Sequence, residues 1–471
     1  MFHTLANYSP ADPDLPVRAR TLTLLRQVLE GTLYDALPHE FHEERTAAGE
    51  YIPLRLRRPS VRYALPRIVV ENSVALLFSN AHFPALQSPD PAVRDALSAL
   101  LRDLRVNQLM TEAAIAGSIG TACIQLRILR GRPFASLLDP AFLTPVWDLE
   151  APDTLQSVTE RYKVAGHALI DAGQDVPDSR ATYWFTRRWT ADDETWFHPQ
   201  ALSDPEPPVP DPTRSVHHAL GFVPLVWIRN LPCAGAHSTG SPDGACTFRA
   251  AIETSIEIDY QLSQAGRGLK YSSDPTLLIK EPAGIEGDLI RGAGNALVLS
   301  EKGDARLLEI GGTAAGAVLD YVRALREFAL EAVHGNRADA SRLTAPASGR
   351  ALEMMNQGLV WLADNLRTSY GDGGLLPLAR MLLRAHARYP LQAAGRSFPP
   401  LNPDALLSLA WPRWYPDTAT DRAQDAATLA TLRASGHVSQ ETALRTLAPA
   451  YGFEDVPTEL ARIRADQENP E

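Results

Sequence analysis

The feature that most constrains this 471-residue chain is a pair of helical repeats on either side of a short, broken insertion. In FRAAIETSIEIDYQLSQAGRGLKYSS, residues 248–273, Ile258, Leu262, Ala265 and Leu269 recur at spacings of 4, 3 and 4, which puts them on one helix face. In TAAGAVLDYVRALREFALEAVHG, residues 313–335, Val318, Val322, Leu325, Ala329 and Ala332 recur at 4, 3, 4 and 3. The intervening residues 275–312 are β-like but are cut by Gly and Pro into pieces too short to be stable alone. A helix of about 22 residues spans about 33 Å, so the insertion sits at the far end of a stalk. Two lone helices cannot cover both apolar stripes. Either the stalk packs laterally against copies of itself, or the hairpin folds back on its own domain; periodicity is compatible with both.

A third repeat follows. Leu352, Met355, Leu359, Leu362, Leu366 and Tyr370 recur at 3, 4, 3, 4 and 4, predicting one continuous buried stripe that Gly371-Asp372-Gly373-Gly374 interrupts. Upstream, HGNRADASRLTAPASG, residues 334–349, has the Gly, Pro and small polar composition of a mobile loop. The loop therefore lies between a stalk helix and a core helix.

Elsewhere the chain alternates element types. Leu22, Leu25, Val28 and Leu33 predict one side of a helix closed by Gly31, and Leu97, Leu100, Leu101 and Leu104 predict another that runs into the β-like TACIQLRIL at 121–129. From about 140 to 230 the segments are rich in Val, Thr, Tyr, Trp and Phe, as in a β-rich subdomain, with the Pro-rich 202–215 as a surface loop. Residues 1 to about 247 read as one mixed α and β region. Beyond residue 390 extended chain gives way to helices, one of them capped at or near Ser439, and the end is a short charged helix with a polar tail.

Hydrophobic residues make up 45% of the chain and charged residues 21%, enough apolar mass for two to four packing units. The net charge of −11 argues against gripping nucleic acid over the whole surface, because phosphate binding needs clustered Lys and Arg. A protein that lets DNA slide past can still be acidic. Cys123, Cys233 and Cys246 form no CxxC pair and are odd in number, so neither a zinc ribbon nor a disulfide framework is expected and a reducing cytosol fits. No basic region followed by an apolar run opens the sequence, and no run of 18 apolar residues occurs, so neither secretion nor a membrane span is expected.

Several catalytic patterns can be tested by spacing. HEFHEE, residues 39–44, gathers His39, Glu40, His42, Glu43 and Glu44, but the second His falls at i+3 and not at the i+4 of a HExxH helix, so a solvated charged segment is the expectation. His237 and Ser238 are adjacent, which precludes a base and nucleophile geometry, and the surrounding sequence is not GxSxG. GRGLK and GAGN are incomplete phosphate loops without GxxxxGK[ST]. The cysteines read as core residues. No catalytic constellation survives, and no cofactor or metal is implied.

The order of features resembles that of tailed-bacteriophage portal proteins of the siphophage type, over nearly the whole chain. The resemblance is carried by NSVALLFSNAHFP and NQLMTEAAIAGSIGTACIQLRI, GFVPLVWIRN before the first stalk helix, ASGRALEMMNQGLVWLADNLRTSYG in the core helix, and WYPDTATDRAQDAATLATLRASGHVSQETALRTL near the C-terminus. It implies an α+β portal fold: a mixed α/β wing at 1–247, stem helices at 248–272 and 312–334, and a small β-containing clip at 273–311. A tunnel loop at 335–348, a wing helix region at 349–389 and an α-helical crown at 390–471 complete it. It further implies a ring, usually a dodecamer, at one capsid vertex of the virion, assembled in the host cytoplasm. Double-stranded DNA would be packaged and ejected through its channel. The implied protein partners are the terminase large subunit and head-tail adaptor at the clip and the major capsid and scaffolding proteins at the wing, with no membrane and no enzymatic activity.

On that reading Arg337 and Arg342 are the candidates for transient phosphate contacts, with Asn336, Ser341 and Thr344 as hydrogen-bonding neighbours. Pairing of both arginines with Asp339 or with a neighbouring subunit is the alternative. Arg267, Lys270 and Lys280 would face DNA or the terminase, or simply lie on the surface. Two other functions compete: a metal-dependent hydrolase using the His39, His42 and Glu cluster, and a structural adaptor that is not a portal.

Overall fold

The computed structural model describes residues 1–9, 12–233, 241–273, 276–282, 299–308, 313–336, 353–415, 419–451 and 456–468. The architecture is mixed α and β. Helix α1 (Val17–Glu30) buries Leu22, Leu25 and Val28 and stops where Gly31 adopts a φ of 75°, a left-handed position that glycine enters without strain. Helix α2 (Leu65–Phe78) buries Val69, Val70, Val74 and Leu77. In α3 (Pro91–Asp103) Asp90 caps the first turn by accepting from the Ala92 N–H at 2.9 Å, and Leu97, Leu100 and Leu101 turn inward. Helix α4 (Val106–Gly117) leads into β1 (Thr121–Leu129), the centre of a three-stranded antiparallel sheet with β2 (Arg132–Leu138) and, on its other side, β7 (Leu225–Arg229).

The first six residues of β1 are all buried, without the in-and-out alternation of a half-covered strand, because both faces of this sheet are covered. Ala122, Ile124 and Leu126 enter the main core, while Cys123 enters a second core against a larger sheet. That six-stranded sheet comprises β3 (Leu143–Trp147), β4 (Leu155–Ala165), β5 (Thr182–Trp189), β6 (Asp193–Trp196) and the short pairs at Gln200–Ala201 and Val216–His217. Leu143, Val158, Trp189, Leu225 and Trp227 fill the space between the two sheets. A charged pocket is also buried in the larger sheet: Arg187 lies 2.9 Å from Glu160 and 3.3 Å from Glu194, with its guanidinium over the rings of Trp189 and Trp196. The Pro-rich 202–215 runs mostly exposed before Val216–His217 pairs with β6.

Helix α5 (Ile252–Ser273) runs to an antiparallel hairpin of β8 (Thr276–Pro282) and β9 (Leu299–Leu308), and α6 (Thr313–Ala332) packs back along α5. Helix α7 (Gln357–Leu366) continues without a break through a π-helical segment, Arg367–Leu375, into α8 (Leu376–Arg388). The expected interruption at Gly371-Asp372-Gly373-Gly374 is therefore corrected: the helix widens there and goes on. The reason is packing. A Cβ on Gly371 would lie 2.6 Å from Trp411 Cζ2, and one on Gly374 would lie 2.8 Å from Ile228 Cδ1, so glycine here admits neighbours and does not end the helix.

Residues 390–415 stay with the main core. Leu391, Ala393, Leu401, Leu407 and Trp414 are buried in it, and Ser408–Ala410 pairs with Ala85–Gln87. Helices α9 (Ala419–Ala434), α10 (Gln440–Tyr451) and α11 (Val456–Glu468) follow. Ser439 caps α10 as expected, its hydroxyl accepting from the Thr442 N–H at 3.1 Å. No helix among the described residues is long and apolar enough to cross a membrane.

Candidate functional site

The α5/α6 pair is held at its base and thins toward its tip. At the base, Ile258 of α5, Ala329 and Leu330 of α6 and Val333 just past its end close a small core with Leu65 and Val69 of α2. Along the pair Leu262, Val322 and Leu325 pack on that core but are only partly buried, and Leu269 is exposed. The stripe expected through Ala332 turns instead to Leu330 and Val333, which face α2 and α5, and leaves Ala332 exposed.

The opposite side of α5 is tied to the N-terminal lobe by polar contacts. Tyr34 Oη donates to Asp259 Oδ2 at 2.7 Å, and the Tyr63 N–H donates to Asp259 Oδ1 at 2.7 Å. Tyr260 Oη donates to the Arg57 carbonyl at 2.9 Å, and the Val61 N–H donates to Ser263 Oγ at 3.0 Å. Burial pushes the Asp259 carboxyl above the usual carboxylate range, against the Tyr63 N–H and Tyr34 hydroxyl that pull it down.

Of the residues singled out in the sequence, Asn336 is half-buried directly after Gly335, where a Cβ would come 2.7 Å from Leu330 Cδ2. Arg337, Ser341, Arg342 and Thr344, like Leu352, His237 and Ser238, lie outside the described residues. Arg267 is half-buried in an ion pair with Glu44, and Lys270 is exposed near the end of α5. Lys280 stands in β8 opposite Asp304 of β9. The structure thus draws Arg267 toward the 39–44 segment.

That segment is occupied by its own ion pairs. His39 Nδ1 lies 3.0 Å from Glu43, which its hydrogen bond holds below the usual carboxylate range, and Arg58 lies 3.1 Å from Glu40. With Glu44 on Arg267, all four candidate acidic and imidazole ligands that flank His42 are already engaged. Among the described residues no group of three or more His, Cys, Asp and Glu is arranged to hold a metal. Burial raises the Cys246 thiol to about 12 and raises the fully buried Cys123 as well, which leaves both thiols protonated and poor nucleophiles.

A cavity of about 540 Å³ opens between α1 and β3, lined by Arg18, Leu143, Trp147, Arg161 and Trp184. Its central cation is committed: Arg18 forks onto Asp243 at 2.6 and 2.7 Å and donates to the carbonyls of Pro140 and Leu143. Among the described residues on its walls no nucleophile and base are paired.

One group of residues escaped the sequence reading. Tyr321 and Phe328 on α6, Met354 just before α7 and Trp361 within it are exposed, and Met355, which the sequence placed on the buried stripe, is corrected: it stands before α7 and is exposed too. Each large side chain falls off the buried stripe of its helix. Tyr321 and Phe328 are one position before Val322 and Ala329, about 100° around α6, and Trp361 precedes the buried Leu362. The available signal was aromatic residues at a seven-residue spacing outside the core face. His334 and Trp361 join the two helices edge to face, with ring centroids 4.8 Å apart.

No known protein family's sequence model matches the chain, and no curated protein matches it in sequence. Several solved structures resemble it, two of them over nearly its full length. One is a chain from the virion of a native gene transfer agent particle, 12% identical, covering 95% of this chain and 99% of its own, with a TM-score of 0.40. The other is from the neck of an empty gene transfer agent particle, 13% identical, covering 94% of this chain and 97% of its own, with a TM-score of 0.42.

Proposed function

We propose that this chain is the subunit of a portal-type ring, a structural conduit for double-stranded DNA in a phage-like virion, with no chemistry of its own. The observation that carries the reading is the helix pair α5/α6. It holds a β-hairpin away from the lobe, its internal core thins toward that hairpin, and its outer side exposes Tyr321 and Phe328. Such a pair is incomplete in one copy and complete when copies stand side by side.

On this reading 1–247 and 349–389 form the wing, 248–272 and 312–334 the stem, 273–311 the clip, 335–348 the tunnel loop and 390–471 the crown. The helical part of the crown begins at Ala419. Arg337 and Arg342 of the tunnel loop touch passing phosphates transiently, while the acidic chain as a whole keeps the duplex from sticking. The clip meets the packaging motor and the head-tail adaptor, and the wing meets the shell.

The test is the solution mass of the purified protein together with negative-stain electron microscopy. Rings with a central hole and a mass near about twelve copies are expected. Compact monomers at all concentrations, or an oligomer without a hole, would refute the conduit and favour an adaptor.

A further inference from the structure

We propose that the exposed face shared by α8 and the β1–β2 hairpin binds the phosphate backbone of double-stranded DNA, at a place on the chain separate from the tunnel loop.

Helix α8 supplies one line of this face. Arg380, Arg384 and Arg388 recur at every fourth residue, and all three are exposed, on the side away from the buried Leu378, Leu382 and Leu383. At 1.5 Å per residue they stand about 6 Å apart and span about 12 Å of the helix. No acidic residue occurs between Asp372 and Asp404, so the line carries no carboxylate of its own. The hairpin supplies the rest. Arg127 in β1 and Arg130 at its turn are exposed, and the stretch 113–138 that holds them is likewise without Asp or Glu.

The fold brings these two acid-free stretches together. The Gln392 N–H donates to the Gly131 carbonyl at 2.8 Å, and a Cβ on Gly131 would lie 3.0 Å from the Pro390 carbonyl oxygen, so the hairpin turn sits beside the end of α8. Gln392–Ala393 then pairs with Arg396–Ser397, which adds the exposed Arg396. Among the described residues no carboxylate forms an ion pair with any of these six arginines. Carboxylates border the face: Asp103 lies 3.7 Å from Arg132, whose guanidinium rests over Phe134, and Asp193 is paired with His217, beside the His218 carbonyl that accepts from Tyr389.

An acidic chain that leaves six arginines unneutralised on one face selects an anionic partner. Guanidinium forks match phosphate, and a duplex offers one charge per about 1.7 Å of its axis, enough to meet the whole α8 line at once. A protein partner would call for an apolar centre, whereas no large apolar side chain of α8 is exposed and those of the hairpin end are Leu129, Phe134 and Tyr389.

The test is the salt dependence of binding to a random-sequence DNA duplex, followed by fluorescence anisotropy. Log affinity falls linearly with log salt, and each phosphate contact contributes about 0.9 to the slope. The full-length variant Arg380→Gln with Arg384→Gln and Arg388→Gln is expected to lower the slope by about 3 for each copy that holds the duplex, and Arg127→Gln with Arg130→Gln by about 2. A control with the same change in net charge as the first variant, Arg67→Gln with Arg94→Gln and Arg445→Gln, removes arginines already paired with Glu71, Asp95 and Glu441 and should leave the slope unchanged. Circular dichroism confirms that each variant keeps the wild-type fold. An unchanged slope in the α8 variant, an equal fall in the control, or a wild-type protein that does not bind the duplex would overturn the proposal. Displacement of the duplex by poly-glutamate at equal charge would assign the face to an acidic protein and overturn it as well. Binding by a protein that forms no ring would refute the portal reading and leave this face assigned.

Discussion

Gly117→Ala is expected to unseat the contact that fixes the π-helical segment on the three-stranded sheet. A Cβ at position 117 would lie 2.3 Å from Tyr370 Oη, 2.9 Å from Ala122 Cβ and 3.1 Å from the Ala122 nitrogen. Tyr370 is fully buried, and its hydroxyl donates to Asn230 Oδ1 at 3.0 Å. Asn230 in turn donates to the Ala245 carbonyl and to Thr247 Oγ1, both at 2.8 Å. Overpacking of this kind costs about 1–3 kcal/mol. Moving the hydroxyl leaves Asn230 Oδ1 without its donor, for about 1–3 kcal/mol more. Tyr370→Phe alone loses only the second quantity. In the double variant the oxygen that clashes is gone, so the two effects should fall short of additive by about 1 kcal/mol or more. Thermal unfolding followed by tryptophan fluorescence reads this at about 2–4 °C per kcal/mol for a unit of 150–250 residues. A neutral Gly117→Ala, or strictly additive shifts, would refute the account of why glycine stands there.

Two further outcomes follow from the same structure, and a third from the proposed portal reading. Arg187→Met leaves Glu160 and Glu194 as unpaired buried carboxylates and should destabilise the chain by about 3–5 kcal/mol, with Gln at both acids restoring most of the loss; urea midpoints check it. Because the folded state raises the pKa of Asp259, its contribution is fully present below about pH 4 and is lost as pH rises through the folded value. The difference in melting temperature between Asp259→Asn and wild type should therefore move in favour of the variant from acid toward neutral pH, and a pH-independent difference would contradict it. Replacing Arg337 and Arg342 together by Ala should slow packaging and weaken retention of DNA in assembled particles, and unchanged rates would remove both residues from the channel wall.

The helices were legible where their packing is one-sided. Leu22, Leu25 and Val28, or Leu359, Leu362 and Leu366, declare a face because every third or fourth residue is buried against one neighbour. The stripes of α5 and α6 were legible only in part: Leu269 continues the period of α5 but reaches beyond the cover that the base provides, and Ala332 loses its place to Val333, which reaches α2. The Gly-Asp-Gly-Gly run misled because a glycine's low helix propensity is local, whereas its use here is set by Trp411 and Ile228, distant in the chain. The bond from Tyr370 to Asn230 spans 140 positions and leaves no trace in either local sequence. The exposed aromatic residues were hidden for a related reason: Phe328 and Trp361 look like core residues in a list of apolar positions, and only the placement of their helices shows them exposed among the described residues.

The main core also has a consequence for how the protein is made. Val70, Leu97 and Leu100, near the start of the chain, share one core with Leu359, Leu366, Leu391 and Trp414 near its end. At about 5–20 residues per second a ribosome needs tens of seconds to deliver the second group after the first. Through that interval the early helices present apolar faces with no permanent partner, and the excursion through α5, the hairpin and α6 must be synthesised before the gap can close. Folding of the lobe is therefore largely completed after translation, and a nascent chain stalled before Trp414 is a strong candidate for chaperone capture.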